Sequence, residues 1–497
     1  MPKTKIFFAS LFALAASQAS ASTFVPDAVL NSNLKVQLKP VATLERAPGE
    51  TGRRNVEAPV TIGDSIYVID SETQSLNRAM IQGGKKTNTM VTSSGFTAVF
   101  DASDLPPELG PTVFKNIRNI TASPDGSSIY MTFLTDAQPY NNIPTRVLPD
   151  PIIEECCNTP RIVNLYEVNE TVGTDFHIIV EYDLNNGVPD ASTGKPIVAL
   201  EMQTGSQAHS SGGMLTLPDG RLLVATGDAV PAGTDGRGGP QNDDEHVGKL
   251  LIIDPTKTDP ADIVTVAGKG IRNVQSLFYT DQTKTQIAFS DIGNATAEEV
   301  NIVSVADLID TTEIENFGWG RGSDGLAREG TIYIEPGVAL RPSEAGIGIG
   351  EAPVPEPGFI QPFAQFGREG GGNLAISGPL ISDYSFDSLT SLFGNLVNGD
   401  LFGTIDPLSG SVVPVYRVGV VDENGMDSTL RDIAGIGSRG DPRFFTFPDG
   451  TGGVLLERPG TVYSIHQVPT AVPLPAGLSL LGAALVALGS RRKWRRM

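Results

Sequence analysis

The residue of this chain best suited to acid–base chemistry is His209. It lies in a turn rich in serine and glycine, and Gly212-Gly213 follows and lets the backbone bend where side chains would clash. The pKa of an unperturbed imidazole is about 6.5, so such a ring is mostly neutral at pH 7 and can accept a proton. We therefore take His209 as a candidate catalytic base. A structural histidine held by hydrogen bonds is the alternative.

The elements that must position His209 follow it in the chain. An apolar strand leads into the turn Pro218-Asp219-Gly220, a second strand runs from Arg221 to Thr226 and ends at Gly227-Asp228, and a third runs from Lys249 to Ile253. Apolar runs separated by Gly, Pro and Asp are typical of antiparallel strands. His209 is thus predicted at the head of one antiparallel sheet.

A strand–turn–strand unit of this kind recurs along the chain. Its turns, each followed by an apolar strand, are Ile62-Gly63-Asp64, Ser123-Pro124-Asp125-Gly126, Pro218-Asp219-Gly220, the degenerate Tyr279–Thr283, Asn398-Gly399-Asp400 and Phe447-Pro448-Asp449-Gly450. These repeats predict an all-β fold, a six-bladed β-propeller over residues 22–467 with long inserted loops at 136–176 and 322–362. We expect the N- and C-terminal strands to pair and close it. A generic collection of β-hairpins is the alternative.

The charge of the chain restricts its partners. The formal net charge is −21, and seven lysines and arginines lie in the terminal segments, so the body between them is more acidic still. Such a surface repels phosphate backbones, and nucleic acid is not an expected partner. Within the body, the loop 233–245 carries Asp235, Asp243, Asp244 and Glu245. These carboxylates could bind a Ca²⁺ ion or form a solvated acidic loop.

The N-terminal segment, residues 1–21, has the composition of a secretory signal. Lys3 and Lys5 precede an apolar run from Ile6 to Ala16, and Ala19-Ser20-Ala21 provides a small-residue cleavage site. This pattern predicts export across the inner membrane and cleavage after Ala21. A buried N-terminal helix is the alternative.

The C-terminal segment, residues 468–497, has a different character from the body. Val472-Pro473-Leu474-Pro475-Ala476 is followed by an apolar run from Gly477 to Gly489 and by the basic cluster 491–496. The combination resembles the VPLPA-type variant of the PEP-CTERM sorting tail, which an exosortase recognises in Gram-negative bacteria. The resemblance implies at least transient anchoring in the membrane and a periplasmic, outer-surface or extracellular location. A plain C-terminal anchor is the alternative.

The only two cysteines are adjacent, Cys156-Cys157. Neighbouring Cα atoms are about 3.8 Å apart, below the usual disulfide range of roughly 4.4–6.8 Å, so a disulfide between them would be strained. A vicinal disulfide and two free or intermolecularly paired thiols both remain open. The four histidines are scattered, and no Cys/His cluster in the sequence has zinc spacing.

Five stretches carry a family resemblance, and they occur in family order. They are the stretch 205–254 around His209, Gly270–Leu277 (GIRNVQSL), Ser290–Asn301 (SDIGNATAEEVN), Asn316–Trp319 (NFGW), and Gln365-Phe366 with Ala375–Gly378 (AISG). Together they resemble the pyrroloquinoline quinone (PQQ)-dependent glucose/sorbosone dehydrogenase family. The resemblance implies a propeller, PQQ and Ca²⁺ as cofactors, and a sugar or polyol as the substrate.

The resemblance also implies roles for individual residues. In that family an imidazole removes the proton from the C1 hydroxyl of the sugar while hydride passes to the quinone, and His209 is the matching position. Arg272 matches the arginine that faces the quinone, and Asn273 supplies an amide at the same rim. Gly293 and Asn294 match two positions whose backbone carbonyls hold Ca²⁺. The alternatives are a blade-closing hydrogen-bonded pair at 272–273 and an ordinary turn at 293–294.

Two functions from different classes therefore compete. The first is an exported oxidoreductase, which His209 and Arg272 favour. The second is a non-catalytic surface propeller that binds glycans or extracellular matrix. Ala208 stands where the family has a carboxylate, and Phe317 stands where it has a tyrosine, and both favour the second function. So does the small number of basic residues late in the chain that could meet the carboxylates of the cofactor: Arg368, Arg439 and Arg443.

Overall fold

The structure is a computed structural model, and the part of the chain that it describes is mostly β-strand. The described ranges are 29–46, 55–84, 89–92, 95–105, 114–135, 145–146, 153–156, 159–162, 175–202, 209, 212–228, 239–293, 297–310, 312–321, 327–329, 332–334, 358–367, 376–381, 386–406, 413–437 and 439–469.

The strands, in chain order up to residue 202, are β1 (Lys35–Thr43), β2 (Val56–Ile62), β3 (Ser65–Asp70), β4 (Ser75–Gly84), β5 (Thr89–Thr92), β6 (Thr97–Phe100), β7 (Phe114–Ala122), β8 (Ser128–Thr135), β9 (Thr145–Arg146), β10 (Ile153–Cys156), β11 (Thr159–Ile162), β12 (Asp175–Asn185), β13 (Val188–Pro189) and β14 (Lys195–Met202). Those up to residue 334 are β15 (Met214–Thr216), β16 (Leu222–Ala225), β17 (Lys249–Ile253), β18 (Val264–Lys269), β19 (Val274–Tyr279), β20 (Gln286–Asp291), β21 (Ala297–Ser304), β22 (Glu315–Asn316), β23 (Gly320–Arg321), β24 (Ala327–Glu329) and β25 (Ile332–Ile334). The remaining strands are β26 (Ala364–Gly367), β27 (Ile376–Leu380), β28 (Ser391–Asn395), β29 (Leu401–Thr404), β30 (Tyr416–Val421), β31 (Asp427–Ser428), β32 (Pro442–Thr446), β33 (Gly452–Leu456) and β34 (Thr461–Gln467). The described α-helices are short: α1 (Pro260–Ile263), α2 (Val305–Ile309) and α3 (Leu430–Ala434).

Most of these strands form antiparallel sheets from neighbouring segments of the chain. The strand orders are β2-β3-β4-β5, with β6 also on β4; β7-β8-β12-β14-β9, with β13 on β12; β15-β16-β17-β18-β22; and β19-β20-β21-β26. A 9-stranded sheet has the order β27-β28-β29-β30-β1-β34-β33-β32, with β31 on β30. Two small sheets, β10-β11 and β23-β24-β25, come from the segments in which the sequence predicts inserted loops.

The core shows how these sheets pack. Strands such as β3, β8 and β17 are buried at every position, so both faces of their sheets are covered by other parts of the protein. Each hydrophobic cluster joins strands of two sheets, or of two parts of the long sheet, that are successive in the chain. A further cluster packs Phe445, Phe447 and Leu455, near the C-terminal end, against Val56 and Ile66 of β2 and β3. The sheets therefore follow one another in a ring, which is a propeller-like arrangement.

The two ends of the described chain meet in this ring. The N-terminal strand β1 pairs antiparallel with the C-terminal strand β34, from Val36 opposite Gln467 to Thr43 opposite Thr461. On its other side β1 pairs parallel with β30. The predicted pairing of the terminal strands is thus confirmed. It makes the first strand of the described chain part of the last sheet.

A cavity of ≈ 610 Å³, called the channel below, is lined by β2, β7, β15, β19 and β32. The predicted turn-and-strand units are present, since strands follow all six predicted turns. Several predictions concern residues outside the described ranges: the signal segment 1–21, the tail 470–497, Cys157, and most of the loops 136–176 and 322–362. Among the described residues, no helix is long and apolar enough to cross a membrane.

Candidate active site

His209 lies just before β15, and its imidazole meets a carboxylate from the end of the neighbouring strand. The distance from His209 Nδ1 to Asp228 Oδ1 is 2.9 Å. The side chain of His209 is 13 % exposed and that of Asp228 is 2 % exposed, so the carboxylate is buried behind the ring. With Nδ1 bonded to the carboxylate, Nε2 is the ring nitrogen left to take a proton from another molecule.

A close backbone approach makes this contact possible. His209 has a left-handed φ of 57°, and its carbonyl oxygen faces Gly227, where the Cβ of any other residue would collide with it. The same Cβ would lie 2.8 Å from the carbonyl oxygen of Arg272. Gly227 is therefore required at the end of this segment, because it lets Asp228 sit directly beneath His209 and beside Arg272.

Asp228 connects three of the side chains around it. Its Oδ2 accepts a hydrogen bond from Trp319 Nε1 at 3.0 Å and lies 3.9 Å from Arg272 Nε. Its backbone N–H donates to the carbonyl of Arg272 at 2.8 Å. Both carboxylate oxygens are thus engaged, one with the imidazole and the other with the indole. This arrangement fixes the orientation of His209 and places a negative charge next to it.

Arg272 is the buried cation of the site. Its Nη1 donates to the carbonyl oxygens of Ile292 and Gly293, both at 2.9 Å, and its guanidinium carbon lies 5.3 Å from the ring centroid of Trp319. Its Nε is buried and has no hydrogen-bond partner among the described residues. A buried donor without a partner is costly, so this N–H is suited to an electron-rich group that arrives from outside.

Asp291, at the end of β20, holds the backbone of the Arg272 segment. Its carboxylate accepts hydrogen bonds from the N–H of Arg272, at 3.1 and 2.9 Å, and from the N–H of Asn273, at 2.7 Å. Burial raises the pKa of Asp291 to about 6, although these backbone hydrogen bonds act in the opposite direction. The carboxylate thus fixes the backbone of Arg272 and Asn273, which lie between β18 and β19.

The side chain of Asn273 begins a hydrogen-bonded chain across the mouth of the channel. Its Oδ1 accepts from Gln275 Nε2 at 2.6 Å, and Gln275 Oε1 accepts from Arg443 Nη1 at 2.6 Å. Arg443 Nε donates to Glu457 Oε1 at 2.6 Å. Burial raises the pKa of Glu457, and the guanidinium of Arg443 opposes that rise. Arg443 therefore reaches the same rim as Asn273, but a buried carboxylate already balances its charge.

The structure brings four of the five predicted site residues together: His209, Arg272, Asn273 and Gly293. The fifth, Asn294, lies outside the described residues, as does Arg368. The Gly227-Asp228 pair at a strand end is visible in the sequence, but only the structure shows that Asp228 places a carboxylate next to His209. In the sequence, Trp319 is marked only as the last residue of the motif Asn316–Trp319.

Phe317 does not lie at the reactive centre. It is buried in the core, with its ring centroid 5.0 Å from that of Phe289, so its lack of a hydroxyl does not alter the contacts of His209. In the acidic loop, Asp243 Oδ1 accepts from Lys269 Nζ at 2.7 Å. No group of three or more His, Cys, Asp or Glu side chains within the described ranges could hold a metal ion. The described part of the acidic loop therefore does not form a carboxylate metal site.

The described residues fit the reacting part of a quinone site and, in donor type, a Ca²⁺ site. An imidazole bonded to a carboxylate lies next to a guanidinium whose buried Nε has no hydrogen-bond partner among these residues. Of the two predicted Ca²⁺ positions, Gly293 is described; its carbonyl oxygen is of the donor type that Ca²⁺ prefers and accepts a hydrogen bond from Arg272 Nη1.

Comparisons with known proteins show which family and which folds the chain is similar to. A family model described as glucose/sorbosone dehydrogenase matches residues 158–345, a range that contains His209, Asp228, Arg272 and Gly293. No curated protein sequence matches the chain at a significant level.

Solved structures align with most of the chain. The PQQ-bound aldose sugar dehydrogenase of Streptomyces coelicolor aligns with 13 % identity and a TM-score of 0.50, over 88 % of this chain and 100 % of its own. A carbohydrate-active enzyme of family AA12 from Trichoderma reesei aligns with 12 % identity and a TM-score of 0.53, over 89 % and 98 %. A structure described as a glucose dehydrogenase aligns with 15 % identity and a TM-score of 0.50, over 88 % and 99 %. At these identities the likeness establishes the fold.

Proposed function

We propose that this chain is an exported oxidoreductase that oxidises a hydroxyl group of a sugar or polyol, with PQQ and Ca²⁺ as its cofactors, on a six-bladed propeller. The observation that carries the proposal is the hydrogen bond from His209 to Asp228 beside the buried guanidinium of Arg272. A histidine with one nitrogen held by a buried carboxylate is a poised proton acceptor. The family match over residues 158–345 supports the choice of reaction.

Each residue of the site would have a separate role in the reaction. His209 Nε2 takes the proton of the substrate hydroxyl, and Asp228 stabilises the resulting imidazolium through Nδ1. Arg272 presents its guanidinium to the oxygen-rich edge of the cofactor, where a fixed fork of donors suits carbonyl and carboxylate groups. PQQ, when bound, would supply the acceptor for the hydride of the carbon that carries this hydroxyl. The backbone carbonyls of Gly293 and Asn294 would hold the Ca²⁺.

The proposed location rests on the composition of the two terminal segments. We propose that residues 1–21 direct export and that the segment 468–497 is a sorting tail for an exosortase-type machinery, which anchors the protein in the membrane before it is processed. The acidic body is compatible with an extracellular or periplasmic protein.

The competing function is a non-catalytic propeller that binds glycans or matrix at the cell surface. Propellers serve many functions, and the fold alone does not choose between the two. The observation that favours the competitor is the pairing of Arg443 with Glu457, because this arginine is not available as an unbalanced charge for a carboxylate of the cofactor.

A reconstitution experiment separates the two functions. The purified protein is incubated with PQQ and Ca²⁺, and reduction of a redox dye is screened across aldoses and sugar alcohols. We expect saturable turnover that His209→Ala abolishes. The matched control is His466→Ala, which removes a half-buried histidine of β34 that contacts Ser464. Turnover that survives His209→Ala would contradict the assigned base, and absence of turnover with every sugar would favour the surface-binding propeller.

A further inference from the structure

A fully buried lysine lies behind the candidate site. Lys249, the first residue of β17, is 0 % exposed. Its Nζ donates to the carbonyl oxygens of Gly239 at 2.7 Å, Pro240 at 3.1 Å and Val247 at 2.8 Å. An ammonium group has three N–H donors and a neutral amine has two, so the three carbonyls require the charged form. The ammonium thus sits in a cage of backbone oxygens.

The charges around Lys249 are few. Burial lowers its pKa, and the carboxylates of Glu245 and Asp243 act in the opposite direction, whereas the second lysine nearby, Lys269, adds to the lowering. Glu245 Oε2 is buried without a hydrogen-bond partner among the described residues, so this carboxylate balances the ammonium through space only. Burial of a charge is expensive unless something is gained from it. The cage therefore calls for an explanation beyond core packing.

The cage orders the loop 239–248, and this loop reaches the site from two sides. Gln241 and Asn316 form a reciprocal amide pair at 2.9 and 3.0 Å, and Gln241 Nε2 also donates to the carbonyl of Trp319 at 2.8 Å. On the other side, the N–H of Gly248 donates to the carbonyl of Gly227 at 2.8 Å, one residue before Asp228. The loop thus holds both the backbone of Trp319 and the segment that carries Asp228.

We propose that Lys249 is a positioning residue: its ammonium group fixes the loop 239–248, and through Gln241 and Trp319 this loop orients Asp228 and hence His209. The last link is the hydrogen bond from Trp319 Nε1 to Asp228 Oδ2, 3.0 Å. The role in catalysis rests on the proposed function, but the ordering of Trp319 does not. Lys249 acts only through other residues and touches neither substrate nor cofactor.

The chain offers a direct probe of this coupling. It contains two tryptophans, Trp319 and Trp494, and Trp494→Phe leaves Trp319 as the single emitter. In that background Lys249→Met keeps the length of the side chain and removes all three donors. We expect its emission to shift to longer wavelength and its acrylamide quenching to rise, because the indole loses its fixed, buried place. Lys195→Met is the matched control and should leave both unchanged, since Lys195 is an exposed lysine of β14 that pairs with Glu181 of β12, outside the loop 239–248.

Activity adds a second measurement. With PQQ and Ca²⁺ loaded, we expect Lys249→Met to lower kcat by about 10²-fold with KM for the sugar little changed, as a small displacement of a catalytic group does. If neither wild type nor variant binds PQQ, the proposed function fails while the fluorescence still decides the role of Lys249. A folded Lys249→Met with the emission and quenching of wild type overturns the inference. If Lys249→Met does not fold, Gln241→Leu must produce the same shift, and an unchanged Trp319 there overturns it equally.

Discussion

Replacing Asp228 by asparagine tests the central contact of the site. The carboxylate accepts two hydrogen bonds, from His209 Nδ1 at 2.9 Å and from Trp319 Nε1 at 3.0 Å. An amide of the same shape has one acceptor oxygen and one NH₂ donor. In Asp228→Asn the amide oxygen can accept from the indole N–H only if the NH₂ group donates to His209 Nδ1, which moves the imidazole proton to Nε2 and replaces two bonds to a charged group by two neutral ones.

The size of the effect follows from these contacts. A hydrogen bond to a charged group contributes about 1.5–3 kcal/mol, and a buried donor left without a partner costs about 1–3 kcal/mol. Bonds between neutral groups contribute only about 0.5–1.5 kcal/mol each, so the loss of the charge from both bonds should lower the free energy of unfolding by about 2–3 kcal/mol. The charge balance of Arg272 changes as well, but its Nε lies 3.9 Å away without a hydrogen bond and adds less.

Equilibrium denaturation in urea, followed by circular dichroism, measures this loss. Asp183→Asn is the matched control: it removes an exposed carboxylate, and its effect should stay within about 0.5 kcal/mol. In the dye-linked assay, Asp228→Asn should lower kcat by about 10²–10⁴-fold because the base loses its orientation and its counter-charge. An Asp228→Asn variant as stable as the control would refute the hydrogen-bonded arrangement around His209.

Three further predictions concern other parts of the molecule. Burial lowers the pKa of His177 to about 3, so its contribution to stability is complete above the ordinary imidazole pKa and is lost as the pH falls toward 3. At about 1.4 kcal/mol per pKa unit, the full loss amounts to about 4–5 kcal/mol. The free energies of unfolding at about pH 4.5 and 7.5 should therefore differ less in His177→Phe than in wild type. Asp291→Ala removes the acceptor of the Arg272 and Asn273 N–H groups, so the free energy of unfolding in the same urea assay should fall by about 2–4 kcal/mol. An unchanged midpoint of urea unfolding would show that these N–H groups find other partners. Intact-mass analysis of protein from native membranes and medium should find residues 1–21 and the tail after 473 removed, and their retention would count against export and sorting, respectively.

The sequence predicted the fold through its turns. Pro-Asp-Gly and Gly-Asp turns precede β8, β16, β29 and β33, because an aspartate caps the turn that a glycine closes: Asp125 Oδ1 accepts the N–H of Ser127, and Asp219 Oδ1 accepts that of Arg221. These signals are local, so they are visible in one sequence. The pairing of β1 with β34 follows from the closure of such repeats.

The candidate site was only partly visible. His209 and Arg272 were found by resemblance, but their connection runs through Asp228, which is 19 residues after His209. The contact depends on a backbone crossing at Gly227 that no periodicity reveals. The chain from Asn273 through Gln275 to Arg443 spans 168 residues in its last step, and such long-range pairs arise only when the sheets close into a ring.

Equilibrium binding of PQQ to the purified chain tests the central claim most directly. The cofactor is titrated into wild type, Arg272→Met and the control Arg417→Met, with Ca²⁺ and with a chelator, and its absorbance or the heat of binding is followed. Arg417 is a partly exposed arginine that pairs with Asp400 on the sheet of β29 and β30, away from the site. We predict saturable binding of one PQQ per chain that requires Ca²⁺, is strongly weakened in Arg272→Met and is retained in Arg417→Met. Absence of binding by wild type at every Ca²⁺ concentration, or equal binding by Arg272→Met, would contradict the account.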